Sequence, residues 1–132
     1  MINVKKIVEY WAETAEYNLG TAEFLFKGQR YPECLFFCHL TLEKMLKALV
    51  VKKIKEHAPY IHNLVALAKK AGVELSSEQI DRLTTITEFN IAGRYRAEKY
   101  NFYKKSTKGY TEKYFKITKD FYIWLNKKLQ EK

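Results

Sequence analysis

One segment of the chain combines the two kinds of side chain that bind phosphate groups and bases. It runs from Asn90 to Lys105, and its cations alternate with aromatic rings. Guanidinium groups match the geometry of phosphate oxygens, and exposed rings stack on bases. The alternative is that the rings anchor the segment to the fold while the cations stay hydrated. We predict a nucleotide or RNA-phosphate site here, with the ligand-binding residues Arg94, Tyr95, Arg96 and Lys99.

A second candidate is a set of polar residues in an otherwise apolar stretch. His39, Glu43 and Lys47 are four residues apart, so in a helix they lie along one edge. The edge is either solvated, with one modest ion pair, or it lines a cleft or a subunit seam. We include the three residues in the predicted ligand-binding site.

Other common catalytic and metal motifs are missing from the sequence. Cys34, Cys38 and His39 are close in sequence, but no second ligand pair follows at zinc-like spacing, so we expect no metal site. Glycine-rich phosphate loops and the Gly-x-Ser-x-Gly elbow are also absent. Two cysteines four residues apart on a helix predict buried free thiols. We predict no catalytic residue and no cofactor.

Helical periodicity dominates the chain, which has only five Gly and two Pro. The pattern predicts an all-α fold, an up-and-down antiparallel bundle of four long helices plus a short one. The segment from Arg94 to Lys108 loses the period and is expected to be a loop or an irregular turn. The first expected helix runs from Asn3 to Lys27 and is stopped by Gly28, and the second runs from Pro32 to Lys53. A short helix runs from His62 to Ala71 and is stopped by Gly72. The next helix is opened by a Ser76–Gln79 capping box and ended or kinked by Gly93, and the last runs from Tyr110 to Lys128.

The positive charge is concentrated near the C-terminus. Residues 1–92 hold 12 Lys/Arg and 11 Asp/Glu, a net charge of +1, whereas residues 93–132 hold 12 and 4, a net charge of +8. A localised basic region favours an anionic partner. The length fits one domain, residues 1–132. Since no secretory signal or membrane-spanning stretch is found, we expect a soluble, cytoplasmic protein.

Several motifs, in order along the chain, resemble the HEPN family (higher eukaryotes and prokaryotes nucleotide-binding domain). The resemblance covers nearly the whole chain. Its motifs are Trp11-x-x-x-Ala15-x-x-Asn18-Leu19-x-x-Ala22, Tyr31, His39-x-x-x-Glu43-Lys44-x-Leu46-Lys47-Ala48, His62-Asn63-Leu64-x-x-Leu67 after Pro59, and Asn90-x-x-x-Arg94-Tyr95.

The resemblance implies a helical bundle that is commonly a homodimer, often encoded beside a minimal nucleotidyltransferase as a toxin–antitoxin pair. Some members are metal-independent ribonucleases, with an Arg followed after four to six residues by His. From Arg94 that position falls on Lys99, Tyr100 or Asn101. From Arg96 it falls on Asn101, Phe102 or Tyr103, so the histidine of the motif is missing.

The sequence therefore favours a non-catalytic HEPN module that binds a nucleotide or RNA phosphate. We expect it to dimerise through its first two helices and to pair with a minimal nucleotidyltransferase. One alternative is a metal-independent ribonuclease toxin that uses His39 or His62 from another helix. The other is a protein-interaction subunit whose basic segment docks on an acidic surface of its partner.

Overall fold

The computed structural model describes residues 2–131, and every regular element in that range is an α-helix. The all-α prediction is confirmed, but the expected four long helices and one short helix are wrong. Three helices are long and three are short. No helix within residues 2–131 is both long enough and apolar enough to cross a bilayer. The helices are α1 Val4–Lys27, α2 Tyr31–Ile54, α3 Leu64–Lys70, α4 Ser77–Thr87, α5 Arg96–Lys105 and α6 Lys108–Gln130.

The second helix is the centre of the bundle. α1 packs antiparallel along α2, and α6 packs against the same central helix. α3 and α4 cover another side. The apolar residues of α2 would otherwise be exposed around most of its circumference, so burying them requires neighbours on several sides. The helices of the same chain provide this cover, and most residues from Cys34 to Val51 are buried.

The helix ends follow the capping residues of the sequence. The side chain of Asn3 accepts a hydrogen bond from the backbone N–H of Lys6 at 3.1 Å, which opens α1. Ser76 and Gln79 form the expected capping box, with bonds of 3.1 and 2.9 Å between each side chain and the other's backbone. Asn63 caps α3, so that helix begins two residues later than the sequence predicted.

The segment expected to be a loop contains a helix. α5 was missed because none of its residues is fully buried, so it has no apolar period to detect. It is fixed mainly by Phe102, whose ring centroid lies 5.7 Å from that of Phe89. α4 ends at Thr87, before the predicted stop at Gly93. Gly93 instead occupies the turn between α4 and α5 with a φ of 81°, which favours glycine.

The two cysteines are buried free thiols, as predicted. The hydrogen bond with Cys38, together with burial, raises the pKa of Cys34 far above its usual range. A thiol in this environment stays protonated at neutral pH and is a poor nucleophile. We therefore interpret the two cysteines as buried core residues that contribute to packing.

Candidate functional site

A buried carboxylate organises the polar edge of α2. Glu43 is 5% exposed, and its Oε2 accepts a hydrogen bond of 3.0 Å from Lys47 Nζ, one turn further along the helix. Its other oxygen, Oε1, lies 2.8 Å from Nδ1 of His62. Burial raises the pKa of Glu43, but the bonds from His62 and Lys47 outweigh that effect and lower it overall. Glu43 is therefore an ionised, doubly bonded carboxylate within the fold.

Lys47 balances the charge of that carboxylate. It is itself 5% exposed, and its Nζ also lies over the ring of Trp11 on α1, 5.4 Å from the centroid. A cation on an aromatic face is stabilised by the ring's quadrupole. The ion pair is thus enclosed by α1 and α2, in contrast to the solvated edge that the sequence also allowed.

His39 is too deeply buried to contact a ligand directly, as its predicted role would require. Its side chain is fully buried, and its Nε2 donates a 2.9 Å hydrogen bond to the main-chain carbonyl of His62. Its Nδ1 has no hydrogen-bond partner within residues 2–131. Burial is the main cause of a lowered pKa of His39, so the ring is neutral. In this structure His39 supports the connection before α3, and solvent does not reach it.

His62 completes this polar cluster, which comprises His39, Glu43, Lys47 and His62. The sequence predicted a role for His62 only in the ribonuclease alternative, because no spacing rule links a residue before α3 to the middle of α2. Its side chain is 59% exposed. With Nδ1–H donated to Glu43, Nε2 is the ring nitrogen left to meet a ligand. The cluster therefore holds one accessible imidazole in a fixed orientation.

The predicted cationic residues lie on and just before α5. The half-buried guanidinium of Arg94 donates from Nε to the carbonyl of Asn90 at 3.1 Å, and its Nη1 lies 3.9 Å from Glu98 Oε2. Tyr95 is the N-cap residue of α5, and Arg96 begins the helix. Both are exposed. The backbone turn therefore orients Arg94, and the side chain of Arg96 remains in solvent.

Aromatic rings accompany these cations at the surface. Tyr95 is 82% exposed, Tyr100 61% and Tyr103 65%. Lys104 Nζ lies 5.0 Å from the ring centroid of Tyr100. Of the four rings in this region, only Phe102 packs against the core. The rings therefore do not anchor the segment as the alternative supposed, apart from Phe102.

The structure places the predicted site residues in two groups. His39, Glu43 and Lys47 belong to the polar cluster, and Arg94, Tyr95, Arg96 and Lys99 form the basic group. No hydrogen bond or ion pair joins the groups among the residues described. Both groups nevertheless lie against α2. The polar cluster includes Glu43 on that helix, and Lys99 of the basic group lines a cavity with Phe36, which lies on α2 seven residues before Glu43. Seven residues of helix correspond to about 10 Å, and they return to the same face.

The described part of the chain holds no group of three or more His, Cys, Asp or Glu side chains arranged to bind a metal ion. The profile of the HEPN domain matches residues 8–129, a range that begins in α1 and ends in α6. No curated protein and no solved structure matches the chain significantly.

Proposed function

The chain belongs to the HEPN domain family, and we propose that it is a non-catalytic member that binds phosphate groups of a nucleotide or RNA. The observation that carries the proposal is the exposed surface of α5. Two tyrosines of the helix and the N-cap Tyr95 stand in solvent there beside four cations, namely Arg96, Lys99, Lys104 and Lys105. A helix that buries no residue completely gains little from packing, so a role in binding accounts for this composition.

The chemistry of this surface suits a single-stranded or mononucleotide ligand. Lysine and arginine side chains that contact phosphates release the counterions condensed there, which supplies affinity without sequence preference, and aromatic rings stack on unpaired bases. Glu98 is the one acidic residue between Arg94 and Lys105, where five cations stand. The local field therefore attracts anions.

The polar cluster contributes to the proposed site through its one exposed member. His39 and Glu43 are buried, so we assign them a positioning role in which they hold His62 by its carbonyl and its ring. Lys47 compensates the negative charge of Glu43 through their ion pair. His62 Nε2 would then hydrogen-bond a ligand that extends along α2 from the basic group.

We base the proposed lack of catalysis on the positions at which the ribonuclease motif would require a histidine. After Arg94 and Arg96 these positions hold Lys, Tyr, Asn or Phe. Tyrosine and lysine side chains ordinarily titrate near ~10, so they exchange few protons at neutral pH. The basic group therefore binds phosphate without a neighbouring neutral-pH base on its own helix.

A protein partner forms the second part of the proposal. HEPN domains commonly pair with nucleotidyltransferases, and we propose a minimal nucleotidyltransferase as the partner in a toxin–antitoxin-like pair. We also propose a homodimer. Because α2 is covered by its own chain, the exposed face of the first two helices is the outer side of α1. Tyr10, Tyr17 and Phe24 are exposed there at seven-residue spacing.

Titration with labelled mononucleotides and short single-stranded RNA, at low and at moderate salt, tests phosphate binding. The double variant Arg94→Ala plus Arg96→Ala is expected to weaken binding strongly. Lys5→Ala plus Lys6→Ala is the matched control, since it removes the same charge from the exposed start of α1. Undetectable binding at both salt concentrations, or equal losses in the two double variants, would overturn the proposal.

One observation favours the ribonuclease alternative in a narrower form. The Nδ1 of His62 is bonded to a buried carboxylate while its Nε2 is accessible, and this arrangement orients an imidazole as a base. His39 is buried and does not fit that role. Incubating the protein with RNA in EDTA separates the two functions. Cleavage that disappears in His62→Gln and persists in His57→Gln would replace the non-catalytic proposal.

A further inference from the structure

A small open cavity lies between α2 and the turn that leads into α5. Its volume is about 260 Å³. Drug-sized ligands occupy cavities of ~300–1,000 Å³, so this one suits a smaller group, of the size of a single base. Its wall is mainly apolar. The residues that line the α2–α5 cavity are Glu33, Phe36, Phe37, Ile91, Ala92 and Lys99.

Two rings of the cavity form a right-angled pair. The centroids of Phe36 and Phe37 are 5.6 Å apart, and their planes meet at 86°. In such a pair the edge of one ring meets the face of the other, so the faces of the ring that gives its edge are not covered by its partner. Both residues are half-buried. A flat aromatic group entering the cavity can therefore stack on a ring that the fold holds in place.

The cavity also carries two opposite charges that do not neutralise each other. Neither Glu33 nor Lys99 forms an ion pair with any residue within 2–131. Both side chains are exposed. The carboxylate of Glu33 can therefore accept hydrogen bonds from a ligand whose anionic group is bound by the ammonium group of Lys99. The complementary ligand has a flat apolar body, a hydrogen-bond donor edge and an anionic group.

We propose that the α2–α5 cavity binds a guanine base and thereby selects guanine nucleotides among the phosphate ligands of this protein. The inference rests on the proposed phosphate-binding function and names its ligand class. The base stacks on the phenylalanine pair, its donor edge faces Glu33, and its phosphate is bound by Lys99. Arg94 and Arg96 lie five and three residues before Lys99, where further phosphates of an RNA chain would bind.

The preference for guanine follows from the donors of each base. Guanine offers N1–H and N2–H side by side, so both can be donated to the two oxygens of one carboxylate. Adenine and cytosine offer an exocyclic amine next to a ring acceptor, which the carboxylate repels. Uracil offers one N–H between two carbonyl oxygens. A bidentate pair of this kind discriminates between bases by about tenfold or more.

Calorimetric titration of the intact protein with GMP, AMP, CMP and UMP at low salt tests the inference. We expect GMP to bind about tenfold more tightly than the other three. Glu33→Gln is expected to abolish that preference, and Lys99→Ala is expected to weaken all four nucleotides alike. Phe36→Ala should also weaken all four. Glu9→Gln, on the exposed face of α1, is the matched control and should keep the wild-type order.

The outcomes separate this inference from the proposed function. Equal binding of all four nucleotides, or a guanine preference that survives Glu33→Gln, overturns the guanine site but leaves phosphate binding intact. Binding of none of them, together with no binding of RNA, overturns both. Circular dichroism melting of each variant identifies a loss caused by unfolding. If Phe36→Ala does not fold, Phe36→Leu keeps the apolar volume without the ring and is expected to weaken binding in the same way.

Discussion

The imidazole of His62 and the carboxylate of Glu43 are joined by a 2.8 Å hydrogen bond between Nδ1 and Oε1. Glu43 lies on the central helix, and His62 lies in the connection before α3. His39 donates to the main-chain carbonyl of the same residue. His62 is therefore held through its backbone and its ring, and the protonation of its two buried partners is linked to the stability of the fold.

Acidification is expected to destabilise the protein in two stages. The pKa values of His39 and Glu43 are both lowered in the folded chain, from ordinary values of 6.5 and 4.5. The unfolded chain then binds more protons, so the free energy of unfolding decreases as pH falls below each ordinary value. Urea unfolding should show less stability at pH 5 than at pH 7, and less again at pH 3.

Two substitutions by an uncharged residue test which side chain causes which stage of the acid destabilisation. His39→Gln retains an amide donor for the carbonyl of His62 but cannot be protonated, so it should reduce the loss between pH 7 and pH 5. Glu43→Gln should reduce the loss between pH 5 and pH 3. A variant that keeps the full wild-type loss in its own pH range contradicts this assignment for that residue.

Removing the cation of the buried pair should cost more than removing both charges. Lys47→Met leaves the carboxylate of Glu43 buried without its ammonium partner, which destabilises by about 3 kcal/mol. In the double variant with Glu43→Gln no such charge remains, so the total loss should be smaller than the sum of the single losses. Urea unfolding of the wild type, the two single variants and the double variant at pH 7 measures the coupling free energy between the two side chains. Additive losses would show that the two side chains do not depend on each other.

The parts of the fold that were predicted correctly are those with strong local signals. Asn3 and the Ser76–Gln79 pair marked helix starts because a capping side chain acts within one turn. α5 lacked such a signal, since Tyr95 makes no side-chain cap and the helix buries no residue completely. Its position depends on one long-range contact, Phe102 against Phe89, which periodicity cannot reveal.

The candidate site was predictable only in part for a similar reason. Four-residue spacing placed His39, Glu43 and Lys47 on one edge, and the structure brings them together. The spacing could not show that His39 and Glu43 are buried, nor that His62 joins them from a connection nineteen residues beyond Glu43. Such a contact depends on how α3 packs on α2, which is a tertiary property.

The backbone of the turn before α5 should favour glycine at position 93. Gly93 has a φ of 81°, and an added Cβ would meet no atom within 4 Å, so the cost of Gly93→Ala comes from backbone strain alone. We expect a loss of about 1 kcal/mol in the free energy of unfolding. Gly109→Ala in α6 is the control, since it also has open space but no positive φ, and it should be neutral or slightly stabilising. Equal effects would contradict the strained turn.

Binding of single-stranded RNA should become less sensitive to salt when a phosphate contact is removed. Each contact contributes about 0.7 to the slope of log K against log salt for single strands. Arg96 is exposed at the start of α5, so Arg96→Ala should lower the absolute slope by about 0.7. Lys5→Ala, on α1, should leave it unchanged. Fluorescence anisotropy at four salt concentrations measures both slopes, and identical slopes for the wild type and Arg96→Ala would exclude Arg96 from the phosphate contacts.

Self-association should depend on the outer face of α1. Seven residues are close to two helical turns, so Tyr10, Tyr17 and Phe24 form one exposed stripe. At Gly20, beside Tyr17, an added Cβ would meet no atom within 4 Å, which leaves room for a ring from a second copy. Tyr17→Glu places a charge in the centre of this seam and should shift the protein from dimer to monomer in sedimentation velocity. Tyr60→Glu is the control, because Tyr60 is 99% exposed but lies off the stripe. A wild-type monomer, or dissociation caused equally by both variants, would exclude this stripe as the dimer interface.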